Sequence, residues 1–449
     1  MLLSLPAPIA PIAAHSLLIF LLQAGLLLLL AVVFGRLAAR FGMPAVAGEL
    51  FVGVLLGPSL LAWAAPGVHG WLFPAVTEQY HLLDAVGQIG VLLLVGLTGM
   101  QMDMRMVRRR FGAAAGVGFG GLVIPLGLGI GAGFVLPRVL IPDGTDITVF
   151  ALFLGVAMCV SAIPVIAKTL IDMNLLHRNV GQLTLAAGMI DDVFGWLMLS
   201  VVSAMAVQAV TAGTVLVSLA CLLAIVVFAL TLGRPLARGA LRVAGKSDGP
   251  GATVGVVVAL LLLASAGTHA LGLEALFGAF VCGILIGTAG KVDPVKLAPL
   301  RTVVLSVFAP LFFATAGLRM DLTALIRPEV LLTGLAVLAL AIIGKFAGVY
   351  AGARISGLNK WEGLALGAGL NARGVIGIMV ATVGLRLGIL GVEIYTIVIL
   401  VAIVTPLMAP PILRFAMKRL EQTAEEQVRE IEQRAWSTQT ATNQKEQLL

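Results

Sequence analysis

Val180-Gly-Gln-Leu-Thr-Leu-Ala-Ala-Gly-Met-Ile-Asp191-Asp192-Val-Phe-Gly-Trp-Leu-Met-Leu-Ser-Val-Val-Ser-Ala-Met-Ala-Val-Gln-Ala209 carries charge only at its two adjacent aspartates, about half-way along. The stretch is long enough for a helix that spans a bilayer. An ionised carboxylate at mid-membrane depth costs at least about 2.5–3.5 kcal/mol. Two of them in one helix imply bound partners, and the smallest candidates are a monovalent cation and protons. Transport of those ions is therefore the first functional expectation. The aspartates are about 100° apart around the helix, so they aim at different partners.

The rest of the chain suits the same setting. Of 449 residues 60% are hydrophobic and only 11% charged, and mean hydropathy is +1.08. Soluble domains carry about 25% charged residues, so the chain reads as a polytopic membrane protein. Its net charge of +7 needs no nucleic acid partner. The three cysteines, Cys159, Cys221 and Cys282, are far apart in apolar runs and read as small core residues, not a disulfide or metal site. The first apolar run lacks a basic leader, so no cleavable signal peptide is expected.

Hydrophobic runs predict thirteen spans near residues 16–34, 44–63, 83–100, 112–136, 147–170, 180–208, 212–233, 251–268, 272–289, 299–318, 328–352, 361–385 and 393–413. With the N-terminus outside, 17 Lys and Arg residues between Arg36 and Lys360 fall in inner loops, Lys168 and Arg178 among them. Only Arg138, Arg319, Arg327 and Arg386 fall outside, which puts the C-terminus in the cytoplasm. Beyond the last span, Leu420, Ala424, Val428, Ile431 and Ala435 recur with helical spacing, Glu and Arg lying opposite. That amphipathic segment is suited to a membrane surface, a partner or solvent. Residues 437–449 read as disordered, and no nucleotide-binding domain is expected after the spans.

Three fragments recur seven spans apart. Thr98-Gly-Met-Gln-Met-Asp103 echoes Ala316-Gly-Leu-Arg-Met-Asp321, and Gly53-Val-Leu-Leu-Gly57 echoes Gly283-Ile-Leu-Ile-Gly287. Ser161-Ala-Ile-Pro164-Val-Ile echoes Asn371-Ala-Arg373-Gly374-Val-Ile. Seven is odd, so the second half crosses the membrane in the opposite sense, an inverted-topology repeat. Pro164 and Gly374 interrupt helices at matching places. Two crossing broken helices are therefore expected, flanked by Ser161 and Asn371.

A buried cation must answer at least one aspartate. Lys345 lies mid-span between Leu331 and Gly352, where no other residue is charged. The expected arrangement pairs Asp191 with Lys345 and leaves Asp192 facing the crossing to bind the ion. Burial and mutual attraction act in opposite senses on such groups, which lets them titrate near neutral pH. Arg373, beside the second break, could repel cations, but the favoured expectation is that it satisfies half-helix carbonyls or an acid such as Glu49. Glu49, near the inner end of the second span, is a secondary candidate as cap, Arg373 partner or entrance charge. Glu274 and His269 are expected at outer ends. Gly116-x-Gly-x-x-Gly121 matches a dinucleotide fingerprint, but no strand precedes it, so it reads as a helix-packing face.

The chain resembles the monovalent cation:proton antiporter family, in the branch holding bacterial sodium/proton antiporters and potassium efflux systems. The resemblance rests on Met43-Pro-Ala-Val-Ala-Gly-Glu49 through Gly57-Pro-Ser59, Phe153-Leu-Gly-Val-Ala with Ser161-Ala-Ile-Pro-Val165, and Ala187-Gly-Met-Ile-Asp191-Asp-Val193. Leu273-Glu-Ala-Leu-Phe-Gly278 through Gly283, Pro310-Leu-Phe-Phe-Ala-Thr-Ala-Gly-Leu318 and Asn371-Ala-Arg-Gly374 agree, and the coverage is about residues 16–417. It implies an all-α polytopic fold with dimerisation-domain helices in 1–110 and 251–325 and core-domain helices in 111–210 and 326–417. Residues 211–250 would be a linker helix and 418–449 a cytoplasmic tail. It also implies a homodimer in the cell membrane whose core moves like an elevator. Asp192 would be the ion-binding carboxylate, and Asp191 with Lys345 the accessory pair of electrogenic members. An acid at position 191 and no nucleotide-binding tail favour Na+, with Li+ or K+ as alternatives. No cofactor or enzymatic activity is expected. A same-fold carrier of an organic solute suits the site less well. Adjacent acids on one helix cannot form an aspartyl protease dyad.

Overall fold

The computed structural model describes residues 12–41, 43–74, 76–206, 220, 223–225, 227–245, 249–273, 275–289 and 294–431. Among them nine helices are long and apolar enough to cross a membrane, and Ala275–Thr288 is a shorter apolar one. Most of the expected seventh span, Cys221, Glu274 and the tail beyond 431 lie outside the described residues, so a total of thirteen is not counted here.

In chain order the helices are α1 (Ala14–Arg40), α2 (Ala45–Leu56), α3 (Thr77–Met100), the short α4 (Met104–Arg109) and α5 (Phe111–Val135). Then come α6 (Ile147–Cys159), α7 (Ile163–Asp172), α8 (Asn179–Ala206), α9 (Arg234–Ala244), α10 (Pro250–Ala270) and α11 (Ala275–Thr288). Helix α12 (Pro294–Val303) runs through a π-turn at Val304–Phe308 into α13 (Ala309–Leu318). The last are α14 (Pro328–Ile355), α15 (Lys360–Leu370), α16 (Val375–Arg386) and α17 (Val392–Met417).

Two groups of helices pack mainly among themselves. One holds α1, α2, α3, α10, α11 and α13; the other holds α5 to α8 and α14 to α17, with α7, the second half of a broken span, also packed against α2 and α3. Apolar side chains give no net drive for association in lipid, so close backbone approach at small residues does that work. A Cβ added to Gly348 would stand 2.1 Å from the Gly120 carbonyl oxygen, and one on Gly352 2.2 Å from that of Gly116. The glycine-rich stripe of α5 is thus the seat of α14, as the sequence led one to expect. In the other group Gly53 abuts Gly317, and Gly283 abuts Gly96 and Gly99. Fragments that echo one another in sequence therefore make equivalent contacts.

Two apolar stretches are broken in the middle. The first stops at Cys159 and resumes at Ile163; the second stops at Leu370 and resumes at Val375. Pro164 sits in the first turn of α7, where its missing N–H leaves no bond unmade. Gly374 is the residue before α16. The breaks touch: the Ala162 amide donates to the Ala372 carbonyl at 3.1 Å.

Candidate ion-binding site

Breaking a helix releases carbonyls at the C-terminal end of its first half and amides at the N-terminal end of its second. Around the crossing these groups are taken by long polar side chains from neighbouring helices. Lys345, in the middle of α14, is fully buried. Its ammonium donates to the Cys159 carbonyl at 2.8 Å, the Gly121 carbonyl at 2.9 Å and Asp191 Oδ2. All three of its N–H bonds are used. Cys159 ends α6, so the negative end of a half-helix dipole faces the ammonium. Gly121 comes within reach because the α5–α14 seam lacks side chains there.

Asp191 is fully buried as well, and its pairing with Lys345 is the one expected. Ser161 Oγ lies 2.6 Å from Asp191 Oδ2 and 2.7 Å from the carbonyl oxygen of Leu370, the last residue of α15. One hydroxyl has one proton, so it serves one of these acceptors at a time. If the carboxyl is protonated, Asp191 can donate to Ser161 while Ser161 donates to Leu370. Ser161 therefore ties Asp191 to both broken helices. The sequence led one to expect Asp192 at the crossing, whereas the crossing's hydroxyl reaches Asp191. Asp192 lies around the helix, also buried but the more open of the two.

Arg373 caps the arrangement from the second break. It is buried, and its guanidinium donates to the Met158 carbonyl at 2.6 Å, the Ala341 carbonyl at 3.1 Å and Asn371 Oδ1 at 3.3 Å. Its own amide donates to Thr405 Oγ1 at 3.3 Å. Of the roles weighed for it, satisfying a half-helix carbonyl matches the Met158 contact, while Ala341 lies inside unbroken α14.

Glu49 does not meet Arg373. It lies on α2, buried, with Oε1 3.5 Å from the Lys168 ammonium, which stands 3.2 Å from Asp172 Oδ1. Lys168 was expected in an inner loop and is instead buried on α7. The i,i+4 spacing of Lys168 and Asp172 was the available signal. Glu49 belongs to the first helix group and Lys168 to the second, so this pair joins them.

Sequence reasoning also missed Gln182. Its side-chain amide donates to the Leu176 and Gln101 carbonyls and accepts from the Asp103 amide at 2.8 Å, tying α8 to the α3–α4 turn.

Comparison with known proteins gives the family. A family profile described as "Sodium/hydrogen exchanger, transmembrane" matches residues 25–419. The Na+/H+ antiporter NhaS4 of Synechocystis sp. is 31% identical over 404 residues, covering 89% of this chain and 97% of that protein. The Na+/H+-K+ antiporter GerN of Bacillus cereus is 26% identical over 88% of this chain and 96% of its own length. Cation/H+ antiporter 15 of Arabidopsis thaliana is 29% identical over 93% of this chain, which spans 50% of that longer protein. The sodium proton antiporter MjNhaP1 of Methanocaldococcus jannaschii shares the fold, with a TM-score of 0.64 at 19% identity over 91% of this chain and 100% of that one.

Proposed function

Because the chain belongs to the sodium/hydrogen exchanger family, whose members swap a cation for protons across a membrane, we propose that it exchanges Na+, or Li+, for H+ by alternating access at Asp192 and Asp191. The observation that carries this reading is the buried Asp191–Lys345 pair at the crossing of two broken helices, with a second carboxylate beside it. Lys345 answers Asp191, so the charge that varies is that of Asp192, ionised when neither a cation nor a proton is loaded. Crossing the low-dielectric barrier in that state is unfavourable. A cation on Asp192, or protons on the carboxylates, removes that charge. One site serves both ions, so loading either expels the other and exchange is obligatory.

The two helix groups are then the dimerisation and core domains of an elevator, in a homodimer with its N-terminus outside. The repeated glycine contacts support treating the halves as inverted repeats. If two protons move per Na+, one net charge crosses, and the membrane potential contributes about 2.3 kcal/mol per 100 mV. A yeast relative named as a K+/H+ antiporter, 26% identical over 89% of this chain and 46% of its own length, keeps K+ as the second reading.

The test uses purified protein in liposomes with a trapped pH dye and an acidic lumen. Na+, Li+, K+ and choline are added outside, for the wild type and Asp192→Asn. The expected result is alkalinisation by Na+ and Li+ but not choline, lost in the variant. A response to K+ alone moves the assignment to K+/H+ exchange. A response to no cation, or one untouched by Asp192→Asn, overturns it.

A further inference from the structure

The tail segment beyond α17 contradicts the ordinary reading of an amphipathic helix. Residues 424–431 are helical, but the face turned to the protein is the charged one. Glu426 and Arg429 are buried, whereas Val428 and Ile431 are 56% and 68% exposed. A helix of this length is too short to persist alone, so its form depends on what it touches.

Those contacts converge on two places. Glu426 accepts the Asn179 amide at 2.6 Å, at the start of α8, and faces Arg178 Nε at 3.2 Å. Arg178 also donates to the Leu420 carbonyl at 2.9 Å. Arg429 extends in the other direction. Its guanidinium donates to Asn179 Oδ1 and, at 2.9 Å, to Asp103 Oδ2. Asp103 is the N-cap of α4, and Arg109 at the far end of α4 pairs with Glu425 at 2.8 Å. Residues 101–110 are where the chain passes from α3, in the first helix group, to α5, in the second. The tail follows α17 and so belongs to the second group, yet it grips this connection at both ends.

We propose that residues 420–431 are an intramolecular brake, whose charged face clamps the 101–110 connection and opposes displacement of one helix group against the other. The proposal rests on the exchange reading above, since only a moving core needs a brake. The contacts suit a reversible catch. They are charge-assisted and directional, and they sit at the end of the molecule that the basic residues mark as cytoplasmic, where water can replace them when the tail leaves. An apolar contact at the same place would have no such exchange partner.

Two measurements on the full-length protein separate the possibilities. The first is hydrogen–deuterium exchange of peptides covering 101–110 and 175–182, for wild type, Arg429→Ala and Glu426→Gln. Faster exchange in both variants is expected, and unchanged exchange overturns the clamp whatever ion is carried. The second is the liposome assay. Both variants should exchange Na+ about fivefold faster or more, the lower end of ordinary coupling between sites. Joining Arg109→Cys to Glu425→Cys with a short reducible thiol cross-linker should suppress transport, and reduction should restore it. Loosened peptides with an unchanged rate, or an unaffected cross-linked protein, overturn the brake. Loosened peptides with no transport of any cation overturn the exchange reading and leave a purely structural clamp.

Discussion

Two buried lysine–carboxylate pairs lie in the membrane part of this protein, and they are built differently. Lys345 and Asp191 are fully buried within one helix group. Lys345 has every donor filled, two of them by backbone carbonyls, and Asp191 is gripped on one oxygen by both Lys345 and Ser161. Lys168 and Glu49 meet at 3.5 Å across the boundary between the groups; Glu49 Oε2, like Asp191 Oδ1, has no hydrogen-bond partner among the described residues. Lys168 also has Asp172 as an alternative partner. The first pair lies inside one helix group; the second spans two, and its lysine has an alternative partner. Residues of the same chemistry are held differently according to which helices carry them.

The comparison is broken most directly at its tighter member. Asp191→Asn leaves the Lys345 ammonium buried without its counter-charge, a change that costs about 3–5 kcal/mol in other proteins. Thermal unfolding in detergent should show a large loss, and Asp191→Asn combined with Lys345→Met should recover most of it. If the double variant still transports, its rate should respond less to an imposed membrane potential. A single variant as stable as wild type would mean that the pair is not formed.

The seam that brings Lys345 to Gly121 comes next. Gly348→Ala places a methyl group on the Gly120 carbonyl and should destabilise the fold by about 1–3 kcal/mol. Gly131→Ala, where nothing lies within 4 Å of the added carbon, should leave stability unchanged. Equal effects at the two positions would remove the case for close approach.

For the looser pair, Glu49→Gln should cost much less stability, because Lys168 keeps Asp172. Its effect should fall instead on transport rate, measured in the same liposomes. A loss as large as that of Asp191→Asn would make the two pairs alike.

The smallest expected effect is the pH dependence of the tail. His177 packs beside Glu430 at 3.7 Å, with Glu426, Arg178 and Arg429 around it. Burial, reinforced by the two arginines, lowers its pKa below the usual histidine value, against the pull of the glutamates. Where burial by the tail outweighs the glutamates it brings, His177 binds a proton more readily once the tail is released. Docking is strongest above the ordinary histidine pKa of about 6.5 and weakens as pH falls through the lowered value. Deuterium uptake by residues 420–431, corrected for the intrinsic pH dependence of amide exchange, should rise on acidification, and His177→Gln should flatten that rise.

Much of this was legible from residue order because lipid is an unforgiving solvent. A charge inside an apolar run must have a partner, which singled out Asp191, Asp192, Lys345 and Arg373. A proline or glycine in such a run must open the hydrogen-bond ladder, and both breaks lie at the expected positions. Adjacent acids cannot share a target, and Asp191 is the one held by Lys345. Near the membrane edge the constraint relaxes and the reading weakened. Lys168 passed for a loop charge because its helix carries it inward beside Glu49. The tail was read by its apolar residues, although Glu426 and Arg429 are the ones it buries.

By itself, then, the sequence determined that the chain spans a membrane, where its helices break and which charged groups are held inside. Those properties depend on solvation and on backbone bonds within a few residues. That the crossing's hydroxyl reaches Asp191, that Glu49 answers Lys168 and not Arg373, and which face of the tail is buried were decided only by the tertiary structure. Each is a choice among partners far apart in the chain, set by distances of a few ångströms that residue order does not encode.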